Sequence, residues 1–253
     1  MSELPEVYSF MIESMDGKAT GDWLETPEGE ICAKIYFQKE YSFDCKTILS
    51  GRGTFESDFN EPIDISKFKD SKIERKDFVS EKKNGYYSVI IDKKGKIKWK
   101  EGFFCYWKEY GRNQESQIIT ILAEDEVKDD YLAYLQSIGD FYIFAGKNNI
   151  DLQISLKKLK SLFGIDKILL EGGPTTNQYF FKENLVSKIF LIKAPIISQS
   201  ESKNVFGDHV FHFGNLIIVK FLMIKVHFYY LIVKLNKFED FWIFNIFVFV
   251  SLF

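Results

Sequence analysis

Residues 165–177, Ile-Asp-Lys-Ile-Leu-Leu-Glu-Gly-Gly-Pro-Thr-Thr-Asn, leave the chain few choices. Ile168, Leu169 and Leu170 form a short apolar run, which reads as the end of a buried strand. Gly172 and Gly173 follow, then Pro174, which suits the first turn of a helix. Two glycines at a strand end let the backbone turn sharply and let a ligand approach with no Cβ in the way. The amides of Thr175 and Thr176 would then open a helix, where free N–H groups and the helix dipole favour an anion such as a phosphate. Glu171 would stand at the carboxyl edge of the sheet, where open α/β sheets place their ligands. The same stretch also fits an ordinary tight strand-to-helix turn.

The pattern recurs along the chain. Residues 7–15 read as a buried strand leading into the turn Asp16-Gly17-Lys18 and a loop through Trp23. Pro27 to Tyr41 has helical spacing, with Ile31, Ile35 and Tyr36 expected on one face. Cys45 to Leu49 is a second strand. It ends in Ser50-Gly51-Arg52-Gly53-Thr54-Phe55-Glu56-Ser57, again strand, glycine turn and helix start. Residues 58–84 are crowded with lysine and acid and read as a solvated excursion. Tyr86 to Asp92 and Ile97 to Trp99 read as a strand and its return, and Phe103 to Trp107 as an aromatic core cluster. Gln117 to Leu122 and Phe141 to Ala145 are further strands. Helices are expected through Tyr131, Leu132, Leu135 and Ile138, stopped by Gly139, and through Leu152, Leu156, Leu159 and Phe163, stopped by Gly164. A helix through Tyr179 and a strand from Val186 to Ile192, ended by Pro195, complete the series. Strands alternating with helices of this length predict an α/β fold with a mainly parallel central sheet and helices on both faces.

Composition narrows the function. The 253 residues carry a formal net charge of −3, which gives no general attraction to nucleic acid. Cys32, Cys45 and Cys105 form no Cys-x-x-Cys pair, so neither a zinc site nor a disulfide framework is expected, and a cytoplasmic setting is the default. His209 and His212 stand three apart with no third metal ligand in view. The stretches 216–233 and 241–253 are apolar. The first is broken by Lys220 and Lys225, and the second falls short of the roughly 18 residues a membrane span needs. Their aromatic and β-branched content fits strands or a poorly specified tail better.

Three segments resemble one family. Gly51-Arg52-Gly53-Thr54-Phe55-Glu56-Ser57 resembles the Gly-Arg-x-Thr-x-x-Ser segment of dihydrofolate reductases. Glu171-Gly172-Gly173-Pro174-Thr175 resembles the Glu-Gly-Gly-Pro-Thr signature of the reductase domain of riboflavin biosynthesis, the RibD C-terminal type. Ser14-Met15-Asp16-Gly17-Lys18 is similar to that domain's Ser-Leu-Asp-Gly-Lys segment, and order and spacing agree. The resemblance implies a dihydrofolate-reductase-like domain over residues 1–208, followed by an atypical apolar segment, 209–253, read as an altered or frameshifted end. It implies NADPH as cofactor and a small ribosylamino-pyrimidine phosphate as substrate, with no nucleic-acid or membrane partner and a homodimer as the expected assembly. By the same resemblance Gly51, Arg52, Gly53 and Thr54 would hold the adenosine and phosphate end of the cofactor. Gly172, Gly173, Pro174, Thr175 and Thr176 would hold the pyrophosphate. Trp23 and Asp58 would approach the nicotinamide, and Ser14, Asp16 and Glu171 would meet the substrate, with Asp58 and Glu171 as catalytic residues.

The sequence also departs from the family. An Asp-Pro-x-Leu-x-x-Arg stretch usually follows the threonine helix and its arginine binds the ribose phosphate. Here Asp58 is followed by Phe-Asn-Glu-Pro-Ile-Asp-Ile. No His-x-Glu with Pro-Cys-x-x-Cys is present, so the zinc deaminase that often accompanies the reductase is absent from this sequence. Reduction of a pterin, dihydrofolate or another small heterocycle, and an inactive nucleotide-binding relative, are the alternatives.

Overall fold

The computed structural model describes residues 3–59, 61–79, 85–99, 103–104, 115–198, 201–207, 218–223 and 229–234. They fall into two compact units: Met1–Glu6 with Cys45–Ile168, and Val7–Asp44 with Leu169–Phe253.

In the first unit the parallel strands β2 (Thr47–Gly51), β3 (Tyr87–Ile91), β5 (Ser116–Leu122) and β6 (Phe141–Phe144) pair in that order. The short β4 (Phe103–Phe104) lies antiparallel on β5. β2 is buried at every position and β5 at all but one. Strands covered on both faces read as continuous apolar runs rather than alternating ones. Helix α2 (Arg52–Phe59) follows β2 directly. Helix α3 (Asp129–Ile138) buries Tyr131, Leu132, Tyr134 and Leu135, and Gly139 ends it in the left-handed conformation, φ 75°. Helix α4 (Leu152–Phe163) starts at Asp151, whose carboxylate accepts the Ile154 N–H at 2.9 Å, and ends at Gly164, φ 68°. These ends lie where the sequence puts them.

Two expectations in this unit are corrected. Residues 61–79 are a solvated excursion only in part: Lys67, Lys69, Lys72 and Lys76 are exposed, while the apolar residues between them are half-buried. Ile63, Ile65, Phe68, Ile73 and Phe78 pack on the core formed by α3 with Leu122, Tyr142 and Phe144. Arg75 pairs with Asp129 at 2.6 Å and Lys158 with Asp77 at 2.8 Å, so two of its charges fasten the segment down. Ile97–Trp99 is buried but is not a strand. Its backbone bonds outside any sheet: Tyr131 Oη donates to Ile97 O at 2.6 Å, the Trp99 N–H donates to Tyr134 Oη at 2.8 Å, and the Glu61 N–H donates to Lys98 O at 2.7 Å. Of the aromatic cluster, Phe103–Phe104 is β4, and residues 105–107 lie outside the described residues.

The chain passes to the second unit within β7 (Lys167–Gly172). There β1 (Glu6–Glu13) pairs in parallel with β8 (Lys188–Lys193), and β8 with β9 (Ile218–Met223). β10 (Tyr229–Lys234) closes the series antiparallel to β9, so the first apolar stretch of the tail supplies two strands. Helix α1 (Pro27–Glu40) covers part of this unit, with the Tyr36 ring stacked on Phe10 at 4.3 Å between centroids. Its buried stripe is Gly29, Cys32, Tyr36 and Glu40. The expected face through Ile31 is corrected, since Ile31 is exposed and Ile35 only half-buried. Helix α5 (Pro174–Lys182) buries Asn177, Phe180 and Phe181.

No helix among the described residues is long and apolar enough to cross a membrane. Among the same residues no group of three or more His, Cys, Asp or Glu could hold a metal ion. His209 and His212 lie outside them.

Candidate active site

In the first unit the site residues gather at the carboxyl end of β2. Gly51 is the last residue of the strand and stands opposite Ile91, the last of β3. Arg52, Gly53 and Thr54 form the first turn of α2. A Cβ built on Gly53 would meet nothing within 4 Å, so the helix start is open on that side. Asp58 lies on α2 one turn further, and its side chain is outside the described residues.

The next strand end supplies a residue that the sequence reading missed. Asp92 follows β3 directly and is buried. Its Oδ2 accepts the backbone N–H groups of Lys96 at 2.5 Å and Ile97 at 2.8 Å, and Gly95 closes the turn at φ 63°. Its Oδ1 lies 4.0 Å from Arg52 Nε, too far for a hydrogen bond. Burial raises the Asp92 carboxyl above its ordinary range, against the two backbone amides and the Arg52 charge, which lower it. Arg52 also pairs through Nη1 with Glu56, one turn along the same helix face. Only the strand register brings Asp92 to Arg52, so motif spacing carried no signal for it.

In the second unit the turn after β7 is built as its glycines predict. Gly172 sits at φ 60°, and Gly173, which caps α5, at φ 55° and ψ 150°. A Cβ on Gly172 would fall 2.3 Å from Asn177 Oδ1, so both conformation and packing demand glycine there. Pro174 opens the helix, and the Asn177 N–H donates to Gly173 O at 3.0 Å. The amides of Thr175 and Thr176 therefore have no acceptor within the helix. Lys203 brings its ammonium to 3.4 Å from Thr175 Oγ1, adding a positive charge to the positive end of the helix dipole. Glu171 is half-buried, one residue before the turn.

Residues 203–207 tie this turn to the Ser14–Lys18 segment. Asn177 Nδ2 donates to Val205 O at 3.1 Å, Val205 N–H to Gly17 O at 3.1 Å, and Ala19 N–H to Lys203 O at 3.2 Å. Ser14 Oγ donates to Asp16 Oδ1 at 2.6 Å and accepts the Lys18 N–H at 2.9 Å. Asp16 Oδ1 also accepts the Ser198 N–H at 2.9 Å. Both side chains thus hold the turn in shape. Sequence reasoning also missed Glu13, the last residue of β1, and its register partner Lys193, which pair at 2.5 Å. Burial raises the Glu13 carboxyl and Lys193 draws it back down. Trp23 is 2% exposed, and its indole N–H has no hydrogen-bond partner among the described residues. A buried donor without an acceptor costs about 1–3 kcal/mol.

The RibD C-terminal domain family model matches residues 5–221. This chain belongs to that family. The match runs past residue 208 into β9. Among solved structures, the fold is similar to a pyrimidine reductase-like protein from Corynebacterium diphtheriae, at 17% identity and a TM-score of 0.60, covering 91% of this chain and 92% of that one. It is also similar to the riboflavin biosynthesis reductase Rib7 of Saccharomyces cerevisiae, at 17% identity and a TM-score of 0.50, covering 83% and 82%. A diaminohydroxyphosphoribosylaminopyrimidine deaminase/5-amino-6-(5-phosphoribosylamino)uracil reductase from Thermotoga maritima matches at 16% identity and a TM-score of 0.50, covering 94% of this chain but 54% of that one. The dihydrofolate-reductase-like α/β fold expected from the sequence is the fold found.

Proposed function

We propose that this chain is an NADPH-dependent reductase acting on a pyrimidine-type substrate of the kind reduced in riboflavin biosynthesis. The observation that carries the reading is the family match over residues 5–221, which takes in the Glu171–Thr176 turn at the end of β7. Each unit by itself supplies a feature that supports nucleotide binding: in the first, a helix start open at Gly53 with Arg52 beside it, and in the second, the helix start at Thr175 and Thr176 with Lys203 beside it. Arg52 is proposed to receive the 2′-phosphate, and Gly51, Gly53 and Thr54 to line its approach. The amides of Thr175 and Thr176 are proposed to hold the pyrophosphate, with Gly172, Gly173 and Pro174 shaping the turn. Trp23 and Asp58 are assigned to the nicotinamide end, and Ser14, Asp16 and Glu171 to the substrate. The bound cofactor would supply hydride; the protein supplies alignment, exclusion of water and charge. A cytoplasmic homodimer over the reductase domain, residues 1–208, belongs to the same proposal.

Two outcomes are expected. Arg52→Ala should weaken NADPH binding far more than NADH binding, because a charge-assisted contact to phosphate contributes about 1.5–3 kcal/mol. Fluorescence titration with both cofactors measures this, and an equal loss for both refutes a 2′-phosphate role. Glu171→Gln keeps the shape and removes the charge. It should leave NADPH bound and slow turnover by about 10–100-fold. An unchanged rate with a lowered melting temperature would make Glu171 a structural acid. Both rest on a substrate panel under NADPH, including ribosylamino-pyrimidines with and without phosphate and a dihydropterin, followed by loss of reduced-nicotinamide absorbance. A panel with no consumption by any member would leave the reductase assignment without support.

A further inference from the structure

We propose that Glu56 sets the cofactor discrimination of this chain by competing with the 2′-phosphate for Arg52; the inference rests on the dinucleotide reading above. Arg52 and Glu56 sit one turn apart on α2, their side chains 37% and 42% exposed, so a ligand can reach both. Their ion pair takes the Nη1 edge of the guanidinium. The Nε side faces Asp92 Oδ1 at 4.0 Å, and Asp92 is 1% exposed. Asp92 cannot turn away, because its Oδ2 is held by the N–H groups of Lys96 and Ile97. Its Oδ1 accepts no hydrogen bond among the described residues. The guanidinium is thus backed by a fixed buried carboxylate and occupied in front by a solvent-reachable one.

A phosphate needs a free edge of that fork, since arginine binds phosphate through two parallel N–H groups. The Arg52 charge is already matched by the Glu56 carboxylate, with Asp92 buried behind it. A phosphomonoester brings about −1.5 to −2 more at neutral pH. It must therefore displace Glu56 and then remain beside it. A ribose 2′-hydroxyl meets no such penalty. It can donate to a carboxylate, which is how an acidic residue recognises the unphosphorylated cofactor in other dinucleotide sites. Glu56 thereby narrows the gap between NADPH and NADH.

The test is direct binding to the full-length protein, with NADPH and NADH titrated separately against wild type, Glu56→Gln and Arg52→Ala. Glu56→Gln is expected to raise the ratio Kd(NADH)/Kd(NADPH) about tenfold, the scale of one solvent-exposed charge acting on a phosphate at short range in a water-like dielectric. The gain should shrink as salt is raised, because exposed charges are screened. Glu56→Ala should shift the ratio in the same direction, which guards against an effect peculiar to glutamine. A ratio that stays put or falls, or a change that ignores salt, overturns the proposal. If Arg52→Ala loses NADPH selectivity while both Glu56 variants match wild type, only the role of Glu56 fails. If wild type binds neither dinucleotide, the reductase reading fails and this inference with it.

Discussion

Gly173→Val is expected to abolish dinucleotide binding, by about 100-fold or more, in a protein that still folds. Gly173 is held at φ 55° and ψ 150°, a region that residues with a Cβ scarcely visit. Forcing valine there costs about 1–3 kcal/mol, and its branched Cβ restricts relief by side-chain rotation. The backbone relieves the strain by turning the peptide ahead of α5. That rotation re-aims the N–H groups of Thr175 and Thr176, which the helix leaves without acceptors. Gly172 is a poorer probe of the same turn, because a Cβ there would strike the buried Asn177 side chain at 2.3 Å and disturb the core as well. Calorimetric or fluorescence titration with NADPH, alongside thermal melting, separates the cases. A folded Gly173→Val protein with wild-type NADPH affinity would remove this turn from the cofactor site.

The glycine turn after β7 was legible because its signals are local. An apolar run, a pair of residues tolerant of unusual φ and a proline at the helix start need no distant partner to be read. The helix ends at Gly139 and Gly164 were legible for the same reason. What failed depended on distant partners. Ile97–Trp99 has the composition of a strand, yet its backbone bonds are taken by Tyr131 and Tyr134 on α3. Ile63, Ile65, Phe68, Ile73 and Phe78 were hidden among lysines and acids, and the core that α3 forms with Leu122, Tyr142 and Phe144 gives them a surface to cover. Helix α1 turns a stripe containing Glu40 inward and leaves Ile31 outside, so spacing of apolar residues pointed to the wrong face. At the candidate site, the place of Arg52 at a helix start was legible from its motif, whereas Asp92 behind it was not. Forty residues of sequence separate them, and the parallel register of β2 and β3 sets them at neighbouring strand ends.

The pairing behind Arg52 reaches a second buried acid, and Asp140→Asn is expected to make the protein markedly more stable at high pH. Asp140 lies between α3 and β6 and is fully buried. Its Oδ2 accepts from Trp99 Nε1 at 2.9 Å and Thr120 Oγ1 at 3.0 Å, while Oδ1 has no partner among the described residues. Burial pushes its pKa up to about 8, outweighing those two hydrogen bonds. An unfolded aspartate titrates near ~3.9. Between these values the folded chain holds a proton that the unfolded chain has released. The stabilising contribution is therefore fully present below the unfolded value and is lost as pH rises through about 8. The ceiling on that loss is about 6 kcal/mol, from the size of the shift. The neighbouring phenols do not interfere in this window, since burial holds Tyr134 at about 12 and Tyr131 well above its ordinary value. Asparagine keeps an oxygen for Trp99 and Thr120 and cannot ionise. Melting temperatures from pH 5 to 9 should fall for wild type and stay flatter for Asp140→Asn, with the curves furthest apart at pH 9. Parallel curves, or a variant less stable at every pH, would sink the assignment. The consequence extends to the site, because Asp140 grips Trp99 in the segment whose Lys96 and Ile97 amides hold Asp92 behind Arg52. Ionising Asp140 should therefore loosen the backing of the arginine before it unfolds the chain.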